Sequence, residues 1–266
     1  MPELPAAKLS GLNIVVTRPA QQAAATVNAL RAAGANVLEF PVLDIVPLQA
    51  PMTSLPGPLY AAIFVSANAV QFGAALVREF AHPLPQLVFA IGLATAEALR
   101  VAGFEHVVSP QQSIDSEGLI ALQELQSDKV QGQHVVLVRG TSRDGGRKII
   151  EEALRARGAT VTPLECYARR AATPSIEQHA ALIAALTSKR KPAIMVLSVG
   201  TLDYLQDALP HHLPLVKSAW LLVPHARVAA IAHARGFTNV AEVPLSSGPL
   251  VAALEELKTR LCAEAA

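Results

Sequence analysis

The stretch NIVVTRP (residues 13–19) is a short β-branched run that closes on a threonine, an arginine and a proline. A helix-like stretch follows it and ends at Gly34. The stretch HVVLVRG (residues 134–140) has the same arrangement, and its helix-like stretch ends at Gly158. A strand-like run followed by a helix and a glycine therefore occurs twice in the chain.

Two further pairs of stretches recur in the same order. IFVS (63–66) and FAIG (89–92) in the first half correspond to MVLS (195–198) and LLVP (221–224) in the second. Three βα segments that recur in one order predict two similar halves, the product of an internal duplication.

Both halves alternate short β-branched runs with longer helical stretches rich in Ala and Leu. Four of these helical stretches end on a glycine suited to a left-handed stop, at Gly34, Gly103, Gly158 and Gly236. The predicted strands are 13–17, 61–66, 86–91, 134–139, 193–197 and 220–223. This alternation predicts an α/β fold with two open parallel sheets joined by right-handed crossovers.

Two short extended segments, 39–48 and 163–170, follow the first βα segment of each half. Prolines mark their edges, as is typical of edge strands. Their matched positions predict that they link two lobes. Repetition alone is compatible with two contiguous halves divided near Val130. Matched linkers are equally compatible with an exchange, in which each first βα segment joins the later segments of the other half.

The composition limits the class of ligand. The chain has 266 residues, 52% of them hydrophobic, and a formal net charge of +1. No general electrostatic field would draw it to nucleic acid or to an anionic membrane. Residues 1–10 lack the pattern of a signal peptide, and no apolar stretch reaches the ~20 residues that span a bilayer. We therefore expect a soluble, cytoplasmic protein.

The two cysteines, Cys166 and Cys262, cannot form a disulfide framework or a zinc site of ordinary ligand spacing. Cys166 lies in an apolar strand-like run and is expected to be a buried packing residue. Dinucleotide, phosphate-loop and nucleophile-elbow motifs are missing from the sequence, and the pair His211-His212 lies in a proline-flanked loop. These observations predict no metal and no cofactor.

Ligands of open parallel sheets bind beyond the carboxyl ends of the strands, where turns and helix N-termini converge. The residues that follow the predicted strands are rich in hydroxyls, glycines and arginines, which together can hold a polyanion. The same serines and threonines could serve only as helix caps. The predicted ligand contacts are Thr17, Arg18, Ser66, Asn68, Thr95, Arg139, Gly140, Ser198, Gly200, His225 and Arg227.

Over nearly its whole length the sequence resembles the uroporphyrinogen-III synthase family. The resemblance is carried by VVTRP (15–19), FVSANAV (64–70), AIGLATA (90–96), VLVRG (136–140), CYAR (166–169) and VLS (196–198). It implies two Rossmann- or flavodoxin-like lobes with exchanged first βα units, joined by two antiparallel linker strands. The implied limits are 1–39 with 171–266 for one lobe, 47–163 for the other, and 40–46 and 164–170 for the linkers, with the ligand in the cleft between the lobes.

The resemblance also implies a reaction. The family converts the linear tetrapyrrole hydroxymethylbilane, a polyanion, to uroporphyrinogen III and inverts the terminal pyrrole ring, without metal or cofactor. Water loss gives an azafulvene, and a spiro intermediate follows. Tyr167 matches a family tyrosine suspected of assisting departure of the hydroxyl. The chain is expected to act as a monomer, with transient contact with the upstream hydroxymethylbilane synthase.

One departure from the family pattern concerns the second half. Many members have a glycine–threonine turn in both halves, whereas VPHARV (223–228) stands at the second position here. Arg227 or His225 would have to replace the threonine as a carboxylate contact. Two other classes of protein stay open: a two-lobed binding protein without catalytic activity, and a nucleotide-sugar transferase.

Overall fold

Short strands alternate with helices along the chain of the computed structural model, which describes residues 7–49, 55, 57–111, 115–141, 148–244 and 247–263. The first six residues of the segment inspected for a signal peptide lie outside these ranges. The chain divides into two compact units. The first unit comprises Met1–Asp44 and Arg170–Ala266, and the second comprises Ile45–Arg169.

Eleven strands occur among the described residues. They are β1 Asn13–Val16, β2 Asn36–Glu39, β3 Leu43–Pro47, β4 Ala61–Phe64, β5 Leu87–Ala90, β6 Val107–Val108, β7 His134–Thr141, β8 Thr160–Ala171, β9 Ala193–Met195, β10 Trp220–Val223 and β11 Val240–Glu242.

Eleven α-helices connect them within the same ranges. They are α1 Ala20–Ala32, α2 Ala67–Phe80, α3 Leu93–Val101, α4 Ser116–Ile120, α5 Ser127–Val130, α6 Ile149–Ala156, α7 Ile176–Thr187, α8 Val199–Ala208, α9 Leu213–Ser218, α10 Ala226–Ala234 and α11 Ser247–Ala263. Gly34, Gly103, Gly158 and Gly236 follow α1, α3, α6 and α10 with φ of 90°, 83°, 84° and 86°. The predicted left-handed helix stops are therefore confirmed.

The sheet of the first unit has the strand order β11-β10-β9-β1-β2, and its four strand pairs are all parallel. β1 is buried along both faces, from Ile14 to Val16, as expected for a strand with helices above and below. On one face, Val27 and Leu30 of α1 and Leu250 and Leu254 of α11 join the core of this unit.

The second sheet has the order β3-β8-β7-β4-β5-β6. The pairs from β8 to β6 are parallel. β3 and β8 run antiparallel, because Ala172 N donates to Val42 O and Leu48 N donates to Cys166 O. The core on one face of this sheet contains Ile63, Phe89 and Leu137.

The partner of β1 decides between contiguous and exchanged halves. Val15 lies opposite Ile194 of β9 in the first sheet, whereas β4 pairs with β5 and β7 in the second. The predicted fold class, two mostly parallel open sheets with exchanged first βα units, is thus confirmed. The predicted limits of the lobes and linkers (1–39 with 171–266, 47–163, and 40–46 with 164–170) stay predictions.

Three short strands, β2, β6 and β11, were not predicted from the sequence. They have two to four residues and lie at edges of the two sheets. Equally short strands that were predicted, such as β4 and β10, are buried along their whole length, whereas β2, β6 and β11 are only partly buried. The three edge strands therefore do not stand out in the sequence as apolar runs.

Candidate active site

The second unit contains a pocket of about 280 Å³ at the carboxyl ends of β4, β5 and β7. Four of its lining residues are apolar and six carry hydroxyl, guanidinium or backbone polar groups. The apolar residues are Val65, Ile91, Leu137 and Ile150, and the others are Ser66, Ser116, Arg139, Gly140, Tyr167 and Arg169. Parallel strands bring these residues together because their carboxyl ends share one edge of the sheet.

Ser66 is the N-cap of α2. Its backbone is extended (φ −169°, ψ 162°), and its Oγ accepts a hydrogen bond from Ala69 N at 3.0 Å. This is the arrangement by which a serine satisfies one of the free amides at the start of a helix. The same Oγ lies 3.1 Å from the phenolic oxygen of Tyr167. The cap therefore also holds a phenol at the pocket.

Tyr167 reaches the pocket because of a β-bulge. Arg139 faces Glu165 across the β7–β8 pair, but Gly140 faces Tyr167, so Cys166 is an extra residue on β8. The ring lies directly on Gly140, where an added Cβ would be 2.3 Å from Cζ. Only a glycine at position 140 leaves room for this ring, which is 2% exposed.

Arg139 is already paired with two carboxylates. Its Nη1 donates to Glu151 Oε2 at 3.1 Å and its Nη2 to Glu165 Oε1 at 3.2 Å. Only 16% of the Arg139 side chain and 10% of the Glu151 side chain are exposed. Glu151 also pairs with Arg155, at 2.9 Å. The predicted ligand contact of Arg139 stays a prediction, but its charge is balanced within the protein.

The sequence reasoning missed Glu151 and Glu165, which pair with Arg139, and it also missed Ser116, which lines the pocket. Ser116 follows Asp115, whose carboxylate caps α4 by accepting from Gly118 N at 2.8 Å. Its residue surface is 7% exposed. The weak sequence signal for Ser116 is the preceding aspartate, a residue type that often caps the start of a helix. Glu151 and Glu165 stand 12 and 26 residues after Arg139, so no local pattern in the sequence indicates that they pair with it.

Cys166 is confirmed as a buried packing residue. It is 1% exposed and lies against Gly73 of α2, where an added Cβ would be 3.0 Å from its Sγ. Burial raises the pKa of the thiol to about 11. Few thiolate anions form at neutral pH, so this side chain is a poor nucleophile.

Asn68 and Thr95 belong to the second unit but do not line the pocket. Asn68 lies half-buried in the first turn of α2, next to Ser66. Thr95 is buried in the first turn of α3, which begins after Gly92 without a side-chain cap. Both follow carboxyl ends of strands, as predicted, and their contacts with a ligand stay predictions.

In the first unit, Thr17 and Arg18 follow β1 and are directed to protein groups. Thr17 is fully buried, and its hydroxyl donates to Met195 O, which ties β1 to β9. Arg18 Nη1 donates to Thr26 Oγ1 at 3.3 Å, and its buried Nε has no hydrogen-bond partner among the described residues. Burial lowers the pKa of its guanidinium.

The other predicted contacts of the first unit are exposed at the ends of β9 and β10. Ser198 caps α8 by accepting from Thr201 N at 3.1 Å. Gly200 is in the first turn of α8, where an added Cβ would meet only Ser198 Oγ, at 3.8 Å. His225 and Arg227 lie at the start of α10, and the imidazole makes no capping hydrogen bond.

We also searched the described residues for metal-binding clusters and for membrane-spanning helices. Within the described ranges, no group of three or more His, Cys, Asp or Glu side chains could hold a metal ion. No helix of those same residues has the length and apolarity needed to cross a bilayer.

The family model and the relatives that match this chain all belong to one protein family. Residues 24–248 match the family model described as "Uroporphyrinogen-III synthase HemD". The uroporphyrinogen-III synthase of Escherichia coli K12 is 31% identical over 242 residues, which cover 86% of this chain and 94% of that protein. That of Synechococcus elongatus is 34% identical over 187 residues, which cover 66% of this chain and 67% of that protein.

Solved structures agree in fold. The uroporphyrinogen-III synthetase of Helicobacter pylori 26695 superposes with a TM-score of 0.60, over 94% of this chain and all of that one, at 14% identity. A mutant uroporphyrinogen III synthase of Thermus thermophilus gives 0.59 over 94% and 98% of the two chains, at 18% identity. With the family model matching most of its length, the chain belongs to the uroporphyrinogen-III synthase family.

Proposed function

We infer that this chain cyclises hydroxymethylbilane to uroporphyrinogen III, with inversion of the terminal pyrrole ring, in tetrapyrrole and heme biosynthesis. The observation that carries this inference is the family match over residues 24–248. The matched segment contains every strand that contributes to the pocket, from β4 to β8.

Tyr167 is the residue we assign to the chemical step. Its phenol lines the pocket and contacts Ser66 Oγ, and phenols donate protons at neutral pH. In the proposed step the bond between the hydroxymethyl carbon and its oxygen breaks, and the oxygen takes the phenol proton and leaves as water. The pyrrole nitrogen supplies electrons to the carbon, which becomes part of an azafulvene. Attack by the terminal ring then gives the spiro intermediate, whose fragmentation and reclosure invert that ring.

The size of the pocket suits one end of the substrate. At about 280 Å³ it lies just below the range of roughly 300–1,000 Å³ that holds whole drug-sized ligands. A tetrapyrrole has four substituted rings, so the pocket would take one ring. Ile91, Leu137 and Ile150 provide apolar surface for the ring, and Ser116 provides a hydroxyl for a substituent. Holding the ring in one orientation is what selects inverted closure.

The acetate and propionate arms require cationic or hydrogen-bonding partners. We propose that the exposed groups at the starts of α8 and α10 serve this purpose in the first unit. Arg227 offers a guanidinium, His225 an imidazole, and Ser198 and Gly200 a hydroxyl and a backbone amide. In the second unit Asn68, Thr95 and Arg139 are the corresponding proposed contacts. Thr17 and Arg18 are the remaining proposed contacts of the carboxylate arms. Both already bond to protein groups, so they have fewer donors left for the substrate.

A single assay tests the function. Purified protein is incubated with freshly made hydroxymethylbilane, and the products are oxidised and separated as isomers. Because the substrate closes unaided to the non-inverted isomer, the expected result is an excess of the type III isomer that grows with protein concentration. Tight substrate binding with only the non-inverted isomer would favour the two-lobed binding protein instead.

The predicted cytoplasmic location, monomeric state and transient contact with hydroxymethylbilane synthase stay predictions. Sedimentation velocity of the protein alone measures the oligomeric state. Sedimentation of a mixture of the two enzymes, with and without substrate, measures the contact.

A further inference from the structure

A chain of hydrogen bonds connects helix α2 to the phenol of Tyr167. Ala69 N donates to Ser66 Oγ at 3.0 Å, and Ser66 Oγ lies 3.1 Å from Tyr167 Oη. α2 has 14 residues, and Ala69 is the third of them. The amide dipole at this end is therefore part of a full helix rather than of an isolated turn.

The direction of the second bond follows from the atoms available. A serine hydroxyl has one proton and two acceptor sites, and the Ala69 amide occupies one of these sites. Either oxygen of the Ser66–Tyr167 pair can donate to the other in the resting protein. When Tyr167 directs its own proton to a leaving group, its oxygen can only accept, so Ser66 becomes the donor.

This direction matters most after proton transfer. The phenol oxygen then carries a negative charge, and hydrogen bonds to charged acceptors are about twice as strong as neutral ones. The donor is fixed in place by its own bond to the helix amide. An oriented donor that strengthens its bond as charge develops stabilises the transition state more than the ground state.

We propose that Ser66 is a positioning residue that holds the Tyr167 phenol and donates a hydrogen bond to the phenolate formed when the substrate loses water. This proposal rests on the proposed acid role of Tyr167. The phenol proton leaves with the departing oxygen as water, and the Ser66 proton stays on Ser66. The proton released by the pyrrole carbon on ring closure restores the phenol, so no further reactant is needed.

The counterpart in the first unit does not share this arrangement. Ser198 caps α8 by accepting from Thr201 N at 3.1 Å, and its hydroxyl lies 3.0 Å from that of Thr201 in the same helix. Its cap therefore stays within one helix. Of the two serines, only Ser66 is hydrogen-bonded to a phenol. Its proposed role therefore goes beyond capping a helix.

The test separates capping from donation. Asn and Asp both cap helices well, but only the Asn amide can donate to a phenolate. Relative to the unchanged protein, Ser66→Ala should lower kcat roughly ten-fold and leave KM within about two-fold. Ser66→Asn should recover most of that loss, and Ser66→Asp should fall below Ser66→Ala. Ser175→Ala removes the matched cap of α7, where Gln178 N donates to the hydroxyl at 3.2 Å, and should leave kcat unchanged.

A double variant distinguishes this proposal from the proposed function. If Ser66 acts through the phenol, Ser66→Ala should have no further effect on kcat once Tyr167→Phe is present. Full activity of Tyr167→Phe would contradict the acid role itself. A loss in Tyr167→Phe together with equal kcat for Ser66→Asn and Ser66→Asp, at equal thermal stability, would overturn the role of Ser66 while leaving that of Tyr167.

Discussion

The two sheets carry the same helix caps but different chemistry at their carboxyl edges. Ser66 and Ser198 both stand in extended backbone (φ −169° and −162°) and both accept from the amide three residues on. Beyond the cap, the second unit has a phenol and an arginine held by two carboxylates, whereas the first has the exposed His225 and Arg227. The two units thus share the backbone signals for helix capping but differ in the reactive side chains beside them.

The difference is clearest at one pair of positions. Leu43 and Tyr167 each stand nine residues after the glycine that ends the first helix of their half, Gly34 and Gly158. Both are buried. In the first half Pro41 separates β2 from β3, whereas in the second half β8 runs unbroken through Tyr167. Leu43 therefore begins a separate strand at the edge of the second sheet, whereas Tyr167 lies within a strand that is paired with β7.

The largest contrast is expected between two arginines. Arg139→Ala should lower the free energy of unfolding by roughly 2–3 kcal/mol, because the buried Glu151 would retain only one of its two cations. Arg227→Ala should change it by less than about 0.5 kcal/mol, since Arg227 is exposed, and should mainly raise KM. Urea unfolding and steady-state kinetics measure both. Equal losses of stability would contradict the view that Arg139 is paired within the protein and Arg227 is exposed.

Tyr167→Phe removes the phenol that distinguishes the second half from the first, where the apolar Leu43 stands at the matched position. Without the phenol proton, kcat should fall by up to about 10²-fold while KM changes little, because the interaction grows only in the transition state. The product should still be the inverted isomer, since Ile91, Leu137 and Ile150, the proposed surface for the substrate ring, are unchanged. A variant that releases mainly the non-inverted isomer would show that the hydroxyl positions the substrate instead.

Two glycines give a smaller contrast. Gly140→Ala should destabilise the protein by roughly 1–3 kcal/mol and lower kcat, because its Cβ would be 2.3 Å from Tyr167 Cζ. Gly200→Ala meets no such obstacle and should stabilise α8 by up to about 1 kcal/mol. Thermal unfolding of the two variants measures the difference. A stabilising Gly140→Ala would mean that the ring can move without cost.

A further effect on stability appears only at high pH. The pKa of Cys166 is raised from an ordinary 9.0 to about 11, so the unfolded thiol ionises first. The stability it contributes is complete below pH 9 and is lost as the pH rises through 11. Over this range the unfolding free energy should fall more steeply in the unchanged protein than in Cys166→Ala. Cys262→Ala, which removes an exposed thiol, should follow the unchanged protein, and parallel curves for all three would contradict burial of Cys166.

The fold was more predictable from sequence than the site. Strands such as 220–223 are apolar runs bounded by turn residues, and β10 has the predicted limits. The exchange of βα segments could not be read from pattern, because both pairings bury the same residues. The pairing of Arg139 with Glu151 and Glu165 was missed since it depends on the β7–β8 neighbourhood and on the first turn of α6. Ser116 was missed because no strand end precedes it directly.

The extra residue at Cys166 also limits how the position of Tyr167 could be reproduced in another sheet. Across β1 and β2 the pairing is regular, from Asn13 opposite Asn36 to Val16 opposite Glu39. Across β7 and β8 the register shifts after Arg139. Substitutions preserve chain length, so they cannot reproduce this shift. Grafting the tyrosine into the first sheet together with this shift would need an insertion, whereas a one-residue deletion at 166 would remove the bulge and leave Gly140 opposite Tyr167 in a regular ladder.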